Sequence, residues 1–245
     1  MKSSEASKNI TPLDFFPGEM LEDLGHVPNY HDWIFEQFAP MLHGRVAEIG
    51  AGLGTIAERL RPCVDRLDLI EPSSGLAGRL RQKFDGDADC AVIEKSIEAW
   101  LKTADPGALD CIVMVNVLEH IEDDQAAVKG LYDALKPGGR LLIFVPALPF
   151  LYSKIDRVFG HFRRYTRKSL GTCVGEAGFK IEKLRYFDIV GVLPWWLLNK
   201  VLRKTSFSQP MLTVYDRVVV PPTKLAESIV APPLGKNLVL IAVKK

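Results

Sequence analysis

The segment that most constrains the fold is residues 46–54, where an apolar run gives way to alternating glycines. A helical pattern of apolar residues begins directly after it, at Ile56. Glycines tolerate positive φ angles and let a ligand approach the main chain, and the free N–H groups of a helix start favour polar or anionic groups. The segment therefore predicts a strand, a tight turn and a helix that together bind a nucleotide-like cofactor.

The second predicted strand ends at Glu71, about 20 residues after the first, the interval at which doubly wound folds place an acid on a ribose hydroxyl. A carboxylate accepts hydrogen bonds from two vicinal hydroxyls and repels a 2′-phosphate, so the cofactor is expected to carry a free ribose. Thr55 stands where the dinucleotide pattern has its third glycine or alanine, and the spacing therefore fits a pyrophosphate poorly. A solvated glutamate before Pro72 is the alternative interpretation.

Composition excludes several protein classes. The 245 residues are 47% hydrophobic and 25% charged, which is typical of a globular chain with roughly one large α/β domain. A net charge of +1 argues against a nucleic-acid partner. No apolar run approaches the roughly 18 residues of a membrane span and no signal peptide is evident, so a cytoplasmic location is expected. The four cysteines lack CxxC spacing and are expected to be reduced packing residues.

Apolar runs alternate with helical patterns along most of the chain. The alternation predicts a parallel sheet covered by helices on both faces. The predicted strands lie at about 45–49, 66–71, 90–94, 110–115, 139–145, 180–186 and 237–243.

The flanking segments are assigned as follows. Residues 1–29 are expected to form a flexible leader and the start of a helical cap, and residues 30–245 a single domain. The Lys-Pro-Gly-Gly segment at 136–139 is expected to end the helix before the fifth strand. A partly helical insertion of about residues 187–236 precedes the last strand and is too long for a simple loop.

Taken in order, several segments resemble the class I S-adenosylmethionine-dependent methyltransferases, and the resemblance covers roughly residues 30–245. The segments are 48–54, Glu71, Ser96-Ile97, 110–121 and 135–139. The resemblance implies a Rossmann-like, seven-stranded, mostly parallel sheet with an antiparallel last strand. It also implies S-adenosyl-L-methionine as cofactor, S-adenosyl-L-homocysteine as product, and no metal.

The resemblance assigns roles to residues around the glycine turn. It implies that Glu71 binds the ribose, that Gly50 and Gly52 hold the methionyl portion, and that Ser96 and Ile97 contact the adenine. The remaining residues expected to line the cofactor site are Glu48, Ala51, Pro72, Asn116 and Val117.

A basic and aromatic cluster follows the fifth strand and is predicted to bind the methyl acceptor. His161 could remove a proton from the acceptor, and His120, directly after the fourth strand, is the competing base. Arg163 and Arg164 could bind a phosphate or carboxylate of the acceptor. The other predicted acceptor residues are Tyr152, Asp156, Tyr165 and Trp195.

Structural explanations of the same cluster remain open. The run around His161 could be a solvated basic helix end in which Arg163 pairs with Asp156, and Glu119-His120 could be a helix start that shapes the pocket. The apolar helix predicted at 191–202 could cover the acceptor, form a dimer, or dip into a membrane interface. Covering the acceptor is the first choice, and the protein is expected to be a monomer or a homodimer.

These observations predict an enzyme that transfers a methyl group to an O or N atom of a small-molecule acceptor, including acceptors that bear an anionic group. Positioning of two reactants supplies most of the rate in such a displacement. The alternatives are methylation of RNA or protein, a non-catalytic S-adenosylmethionine-binding subunit, and a nicotinamide-dependent reductase. Thr55 and the segment 116–121 argue against the reductase.

Overall fold

The computed structural model describes residues 27–245 except 205 and 207, so the predicted leader at 1–26 lies outside the described residues. One seven-stranded sheet forms its centre. The strands are β1 (Arg45–Ile49), β2 (Arg66–Ile70), β3 (Cys90–Ile93), β4 (Leu109–Val115), β5 (Leu135–Pro146), β6 (Lys180–Phe187) and β7 (Asn237–Val243). Their order is β3-β2-β1-β4-β5-β7-β6, and only β7 pairs antiparallel, with both β5 and β6. The predicted Rossmann-like α/β fold is confirmed.

Helices connect and cover the strands. They are α1 (Pro28–Phe38), α2 (Ala57–Leu60), α3 (Ser74–Lys83), α4 (Ile97–Leu101), α5 (Asp124–Ala134), α6 (Lys154–Val158), α7 (Arg167–Glu176), α8 (Val192–Trp195), α9 (Gln209–Val214) and α10 (Val220–Ile229). Short 3₁₀ helices occupy Ala39–Met41, Arg61–Cys63, Leu118–His120 and Pro149–Leu151, and π-helical turns occupy Trp196–Val201 and Tyr215–Val219. No helix in the described part of the chain combines the length and the apolar character needed to cross a bilayer.

The fifth strand begins earlier than the sequence predicts. Leu135 pairs with Leu109 at the start of β4, and an irregularity in the register follows before Arg140 pairs with Cys111. Helix α5 therefore ends at Ala134. The prediction that residues 136–139 end a helix is wrong, because this segment lies within β5.

The second half of β5, residues 141–145, is apolar throughout because the strand lies in the middle of the sheet. Successive side chains of a strand face opposite sides of the sheet. Leu141 and Ile143 belong to the core on one face, and Leu142 and Phe144 to the core on the other. Because helices cover both faces, neither set can be polar.

The insertion before β7 is fixed to the rest of the domain by buried carboxylates. Asp216 accepts a hydrogen bond from the backbone N–H of Tyr30 in α1 at 2.9 Å. Asp188 accepts from the hydroxyl of Tyr215 at 2.5 Å and lies 3.0 Å from Nζ of Lys236. These contacts bring the insertion, the cap helix and the start of β7 to the same edge of the sheet.

Candidate active site

The glycine turn after β1 depends on backbone angles that favour glycine. Gly50, Gly52 and Gly54 have φ angles of +70°, +56° and +76°. A Cβ atom on Gly50 would lie 2.5 Å from Cγ2 of Val117, in the loop after β4. The turn therefore places its main chain against this neighbouring loop, at the carboxyl ends of the parallel strands.

Glu71 is held in place at the end of β2. Its Oε2 accepts a hydrogen bond from the backbone N–H of Gly52, and its Oε1 from that of Ser73, both at 2.9 Å. Burial raises the pKa of the Glu71 carboxyl, and the two backbone donors oppose that rise. Each carboxylate oxygen has two lone pairs, so both retain acceptor capacity for the hydroxyls of a ligand.

Glu48, near the end of β1, is buried with an unused oxygen. Its Oε2 has no hydrogen-bond partner among the described residues. Burial raises the pKa of the Glu48 carboxyl well above its ordinary value, and the charge of Glu71 raises it further. A buried polar atom without a partner costs free energy, so a ligand that donates a hydrogen bond here is favoured.

The loops after β3 and β4 complete this end of a cleft. The Ser96 hydroxyl accepts from the backbone N–H of Ala99 at 3.3 Å and so caps helix α4. Asn116 adopts a φ angle of +54°, and its N–H donates to the carbonyl of Phe144 at 2.8 Å. All of the residues predicted to bind the cofactor line this one cleft: Glu48, Gly50, Ala51, Gly52, Glu71, Pro72, Ser96, Ile97, Asn116 and Val117.

A buried aspartate organises the other end of the cleft. Oδ1 of Asp156 lies 3.0 Å from Nδ1 of His161 and accepts the Nε–H of Arg164 at 2.7 Å. Burial opposes ionisation of Asp156, but the hydrogen bond to His161 and the charge of Arg164 outweigh it and hold its pKa below the ordinary value. The guanidinium of Arg164 also lies over the Trp195 ring, 4.7 Å from its centroid. Asp156 therefore fixes both an imidazole and a guanidinium.

Glu119 and His120 follow β4 and face His161. The Glu119 side chain is fully buried, and neither carboxyl oxygen has a hydrogen-bond partner among the described residues, although Oε1 lies 4.0 Å from Nε2 of His161. Burial raises the pKa of Glu119 to about 7. The His120 ring stands nearly perpendicular to the ring of His161, with 4.6 Å between centroids. Burial and the neighbouring His161 lower the pKa of His120 to about 3.

The same three side chains have the spacing of a metal site. One donor atom from each of Glu119, His120 and His161 lies within 4.8 Å of the others. Two imidazoles and a carboxylate are a ligand set that divalent transition metals accept. The sequence predicts no metal, and this cluster is the group of described residues that could hold one.

Two of the predicted acceptor residues, Arg164 and Trp195, line the cleft. Arg163 lies outside it and forms an ion pair with Asp124, with 2.8 Å between Nη1 and Oδ2. The alternative in which Arg163 pairs with Asp156 is wrong, because Arg164 occupies that position. The neighbouring arginines therefore point in different directions, as successive residues of an extended segment do.

The two tyrosines predicted to bind the acceptor, Tyr152 and Tyr165, do not line the cleft. The Tyr165 hydroxyl donates to Oδ2 of Asp124 at 2.8 Å and is buried. The Tyr152 hydroxyl donates to the carbonyl of His161 at 2.7 Å. Both tyrosines hold the segment that carries His161 and leave their hydroxyls engaged with protein.

Lys236 is a cleft residue that the sequence analysis missed. Its Nζ lies 3.0 Å from Oδ2 of Asp188 and 4.8 Å from the ring centroid of Tyr30. A lone lysine before the last strand carries no motif, and only the position directly before β7, whose end meets the cleft, could have suggested it. Tyr30 and His31 of the cap helix also line the cleft.

The cleft is one continuous cavity of about 380 Å³ that runs from Glu71 to His161 and Trp195. Residues 30–184 match a sequence family described as a methyltransferase domain. The chain belongs to this methyltransferase family. It is a class I S-adenosylmethionine-dependent methyltransferase, as the sequence predicted.

Curated relatives of the methyltransferase are O-methyltransferases. The ubiquinone biosynthesis O-methyltransferase of Idiomarina loihiensis is 32% identical over 124 residues, which are 48% of this chain and 46% of that protein. The protein of the same name from Pseudomonas aeruginosa is 27% identical over 178 residues, which are 66% of this chain and 72% of that protein. The match thus spans about half of the first relative and most of the second.

A solved structure confirms the fold at greater evolutionary distance. Phosphoethanolamine N-methyltransferase 2 of Haemonchus contortus, in complex with phosphomonomethylethanolamine and S-adenosylhomocysteine, superimposes with a TM-score of 0.66 at 16% identity. The superposition covers 97% of this chain and 61% of that chain.

The cleft residues of the methyltransferase fit S-adenosylmethionine. Glu71 is fixed by the backbone and keeps free lone pairs that can accept ribose hydroxyls. Oε2 of Glu48 has no hydrogen-bond partner among the described residues and can accept a hydrogen bond from a ligand group such as an ammonium. A Cβ on Gly52 would lie 4.0 Å from the carbonyl oxygen of Gly50, so the space beside the turn is open to a ligand.

Proposed function

We propose that this methyltransferase transfers a methyl group to an oxygen atom of a small, ring-containing acceptor. The observation that carries the proposal is the single cleft that joins the Glu71 end to a histidine held by a buried aspartate. The names of the curated O-methyltransferases support oxygen as the acceptor atom.

The cofactor end of the cleft would hold S-adenosylmethionine through residues already fixed by the fold. Glu71 would accept the ribose hydroxyls, the turn at Gly50 and Gly52 would face the methionyl portion, and Ser96 with Ile97 would contact the adenine. When bound, this cofactor supplies an electrophilic methyl group on a positively charged sulfur. The chain's part is to orient the acceptor oxygen in line with that methyl group and to remove its proton.

His161 is the better placed of the two candidate bases. If Asp156 accepts the Nδ1–H of His161, the lone pair of Nε2 is free to take a proton from an acceptor hydroxyl. As the imidazole gains that proton, the negative charge of Asp156 stabilises the resulting cation. A hydroxyl deprotonated during the transfer is a stronger nucleophile, and such assistance contributes about 10²–10⁴-fold to a rate.

His120 is less suited to accept a proton. Its pKa of about 3 means that its imidazole holds a proton weakly at neutral pH. An efficient base has a pKa near the working pH. We assign His120 to shaping the pocket, where it packs edge-on against His161.

Aromatic and cationic groups at the His161 end suggest the character of the acceptor. Phe159 lies beside His161, and Trp195 lies beside Arg164 and Lys236. Apolar ring faces bind a planar acceptor, and cations favour one that bears negative charge. Both cations already pair with buried aspartates, so an anionic group on the acceptor would add a contact without replacing these pairs.

The test is a binding and turnover experiment with the purified protein. We expect calorimetric titration to show saturable binding of S-adenosylhomocysteine that weakens at least tenfold in Glu71→Gln. Release of S-adenosylhomocysteine is then measured with panels of hydroxylated aromatic compounds and of matched aromatic amines. Turnover of a hydroxylated compound that is lost in His161→Gln supports the proposal.

Two results would overturn it. Turnover of amines alone would make the enzyme an N-methyltransferase. Turnover of a hydroxylated compound at the wild-type rate in His161→Gln would remove His161 as the base. The matched variant His120→Gln, expected to retain most activity, controls for disturbance of the histidine pair.

A further inference from the structure

A second cavity lies outside the cleft, between helix α6 and the π-helical turn Trp196–Val201. Its volume is about 690 Å³. Four cationic side chains line it: Lys154, Arg157, Lys200 and Arg203. Among the described residues, no carboxylate side chain lines it and none of these four cations forms an ion pair. The cavity therefore concentrates positive charge that the protein does not neutralise.

The carboxylate on helix α6 is engaged by other partners. Asp156 belongs to α6, but its oxygens bond to Ser153, His161 and Arg164 on the side of the active-site cleft. Lys200 donates from Nζ to the carbonyl of Tyr152 at 2.7 Å, a neutral acceptor. Like charges held together in one concave site raise the local concentration of an anion.

A separate observation also points to a ligand. Asn199 lines the cavity and is only 1% exposed, yet neither its Nδ2 nor its Oδ1 has a hydrogen-bond partner among the described residues. Buried amides in proteins are almost always hydrogen-bonded. An anion in the cavity would accept from the Asn199 NH₂ group and satisfy its donor.

We infer that this cavity binds a phosphate-type anion, either a phosphate ester or a diphosphate. Arginine forms paired hydrogen bonds with phosphate oxygens and lysine contributes a point charge, so two of each suit a group with two or more negative charges. The volume exceeds that of one phosphate group, which leaves room for the remainder of a ligand. This inference is independent of the reaction proposed above.

The surface beside the cavity bears on where the phosphate comes from. Trp196, Leu197, Val201 and Leu202 are 42%, 45%, 48% and 56% exposed and belong to or directly follow the π-helical turn that carries Asn199 and Lys200. Exposed tryptophan and aliphatic residues beside cations are typical of contact with a lipid interface. The phosphate is thus supplied by a lipid headgroup or by a soluble phosphate compound, which share the same chemistry at the cavity.

Tyr152 connects this cavity to the active site. Its carbonyl accepts from Lys200, and its hydroxyl donates to the carbonyl of His161. An anion that draws Lys200 into the cavity would break the hydrogen bond from Lys200 to the Tyr152 carbonyl. The same tyrosine is hydrogen-bonded to the backbone of His161 through its hydroxyl. Binding at the cavity is therefore placed to influence the segment that carries His161.

The experiment uses the full-length protein and two charge-matched double variants. Inorganic phosphate and diphosphate are titrated by calorimetry, and cosedimentation is measured with phosphatidylcholine vesicles with and without phosphatidylglycerol. In Arg157→Gln/Arg203→Gln we expect binding of the favoured probe to weaken at least tenfold. Lys102→Gln/Lys180→Gln, which removes two exposed cations elsewhere, is expected to bind within twofold of wild type.

The pattern of binding identifies the source. Saturable binding of diphosphate without vesicle binding assigns a soluble phosphate compound, and binding of phosphatidylglycerol vesicles assigns a headgroup. Asn199→Leu is expected to weaken the same binding while its thermal midpoint without anion equals or exceeds that of wild type. The inference is overturned if wild type binds none of the probes, or if both double variants lose binding equally. Titration with S-adenosylhomocysteine, expected to be unchanged, reports that each variant is folded.

Discussion

Nδ1 of His161 lies 3.0 Å from Oδ1 of Asp156, and the same oxygen accepts the Nε–H of Arg164 at 2.7 Å. One fully buried carboxylate therefore orients both the proposed base and the neighbouring guanidinium. The arrangement couples proton removal to the stability of the segment that carries His161, because both His161 and Arg164 lose a buried hydrogen-bond acceptor if the aspartate is removed.

Asp156→Asn is expected to lower kcat about 10²-fold or more. An amide NH₂ in place of the carboxylate would favour the wrong tautomer of His161 and leave the Arg164 cation buried without its anion. Removing one partner of a buried pair costs about 3–5 kcal/mol of stability. Steady-state kinetics and thermal unfolding measure both effects. The control is Asp87→Asn, whose carboxylate pairs with Arg61 outside the cleft and whose kcat is expected to stay near wild type. Equal kcat losses in the two variants would contradict a special role for Asp156.

The two histidines are expected to differ in their effect on turnover. His161→Gln should lower kcat about 10²–10⁴-fold, the range typical of a general base, while the affinity for S-adenosylhomocysteine stays within about twofold. His120→Gln should lower kcat less, because a histidine with a pKa of about 3 is a poor proton acceptor at neutral pH. A larger loss in His120→Gln than in His161→Gln would reverse the assignment.

Glu119 is expected to make the protein less stable as the pH rises. Burial raises its pKa from 4.5 to about 7, so between these values the unfolded chain releases a proton that the folded protein retains. The free energy of unfolding therefore falls across this window, by up to about 3 kcal/mol, and levels off above it. Urea unfolding of wild type and Glu119→Gln at pH 5 and pH 8 tests this. We expect the variant to lose less stability than wild type between the two pH values, and parallel losses would refute the raised pKa.

The glycine turn offers a matched pair of substitutions. Gly50 and Gly86 have φ angles of +70° and +78°, but an added Cβ would meet Val117 at 2.5 Å at the first position and nothing within 4 Å at the second. Gly86→Ala should thus cost about 1–2 kcal/mol from backbone strain alone. Gly50→Ala should cost about 1–3 kcal/mol more from the steric contact, and should also weaken cofactor binding. Equal stability losses would show that the loop after β4 yields to the methyl group.

Much of the sheet was predictable because its signals are local. The boundaries predicted for β1 and β7, at 45–49 and 237–243, equal those observed, since continuous apolar runs bounded by polar residues define buried strands. The start of β5 was not predictable, because Leu135 joins the strand through pairing with Leu109 on a neighbouring strand. That contact is absent from any local pattern.

The candidate site divides in the same way. The residues of the cofactor end follow strand ends directly, and the parallel topology alone brings them to one cleft. At the acceptor end, the sequence could not tell that Arg164 pairs with Asp156 while Arg163 turns to Asp124, because the direction of each side chain depends on tertiary packing. Lys236 is held at the cleft by its ion pair with Asp188, which lies 48 positions earlier in the chain. No local sequence pattern indicates this pairing.

The histidine cluster allows a decisive test of whether the reaction uses a metal ion. Donor atoms of Glu119, His120 and His161 lie within 4.8 Å of one another, so the group could bind a divalent cation. In the mechanism proposed here His161 instead accepts the proton, since Asp156 already orients its ring. The Glu119 carboxyl, whose pKa burial raises to about 7, is mostly protonated below pH 7 and is then a poor metal ligand. Turnover is therefore expected to survive dialysis against a chelator and to gain nothing from added Mg²⁺, Mn²⁺ or Zn²⁺. Loss of activity that a divalent cation restores in wild type, but not in Glu119→Gln, would convert the cluster into a metal site and make His161 a ligand in place of a base.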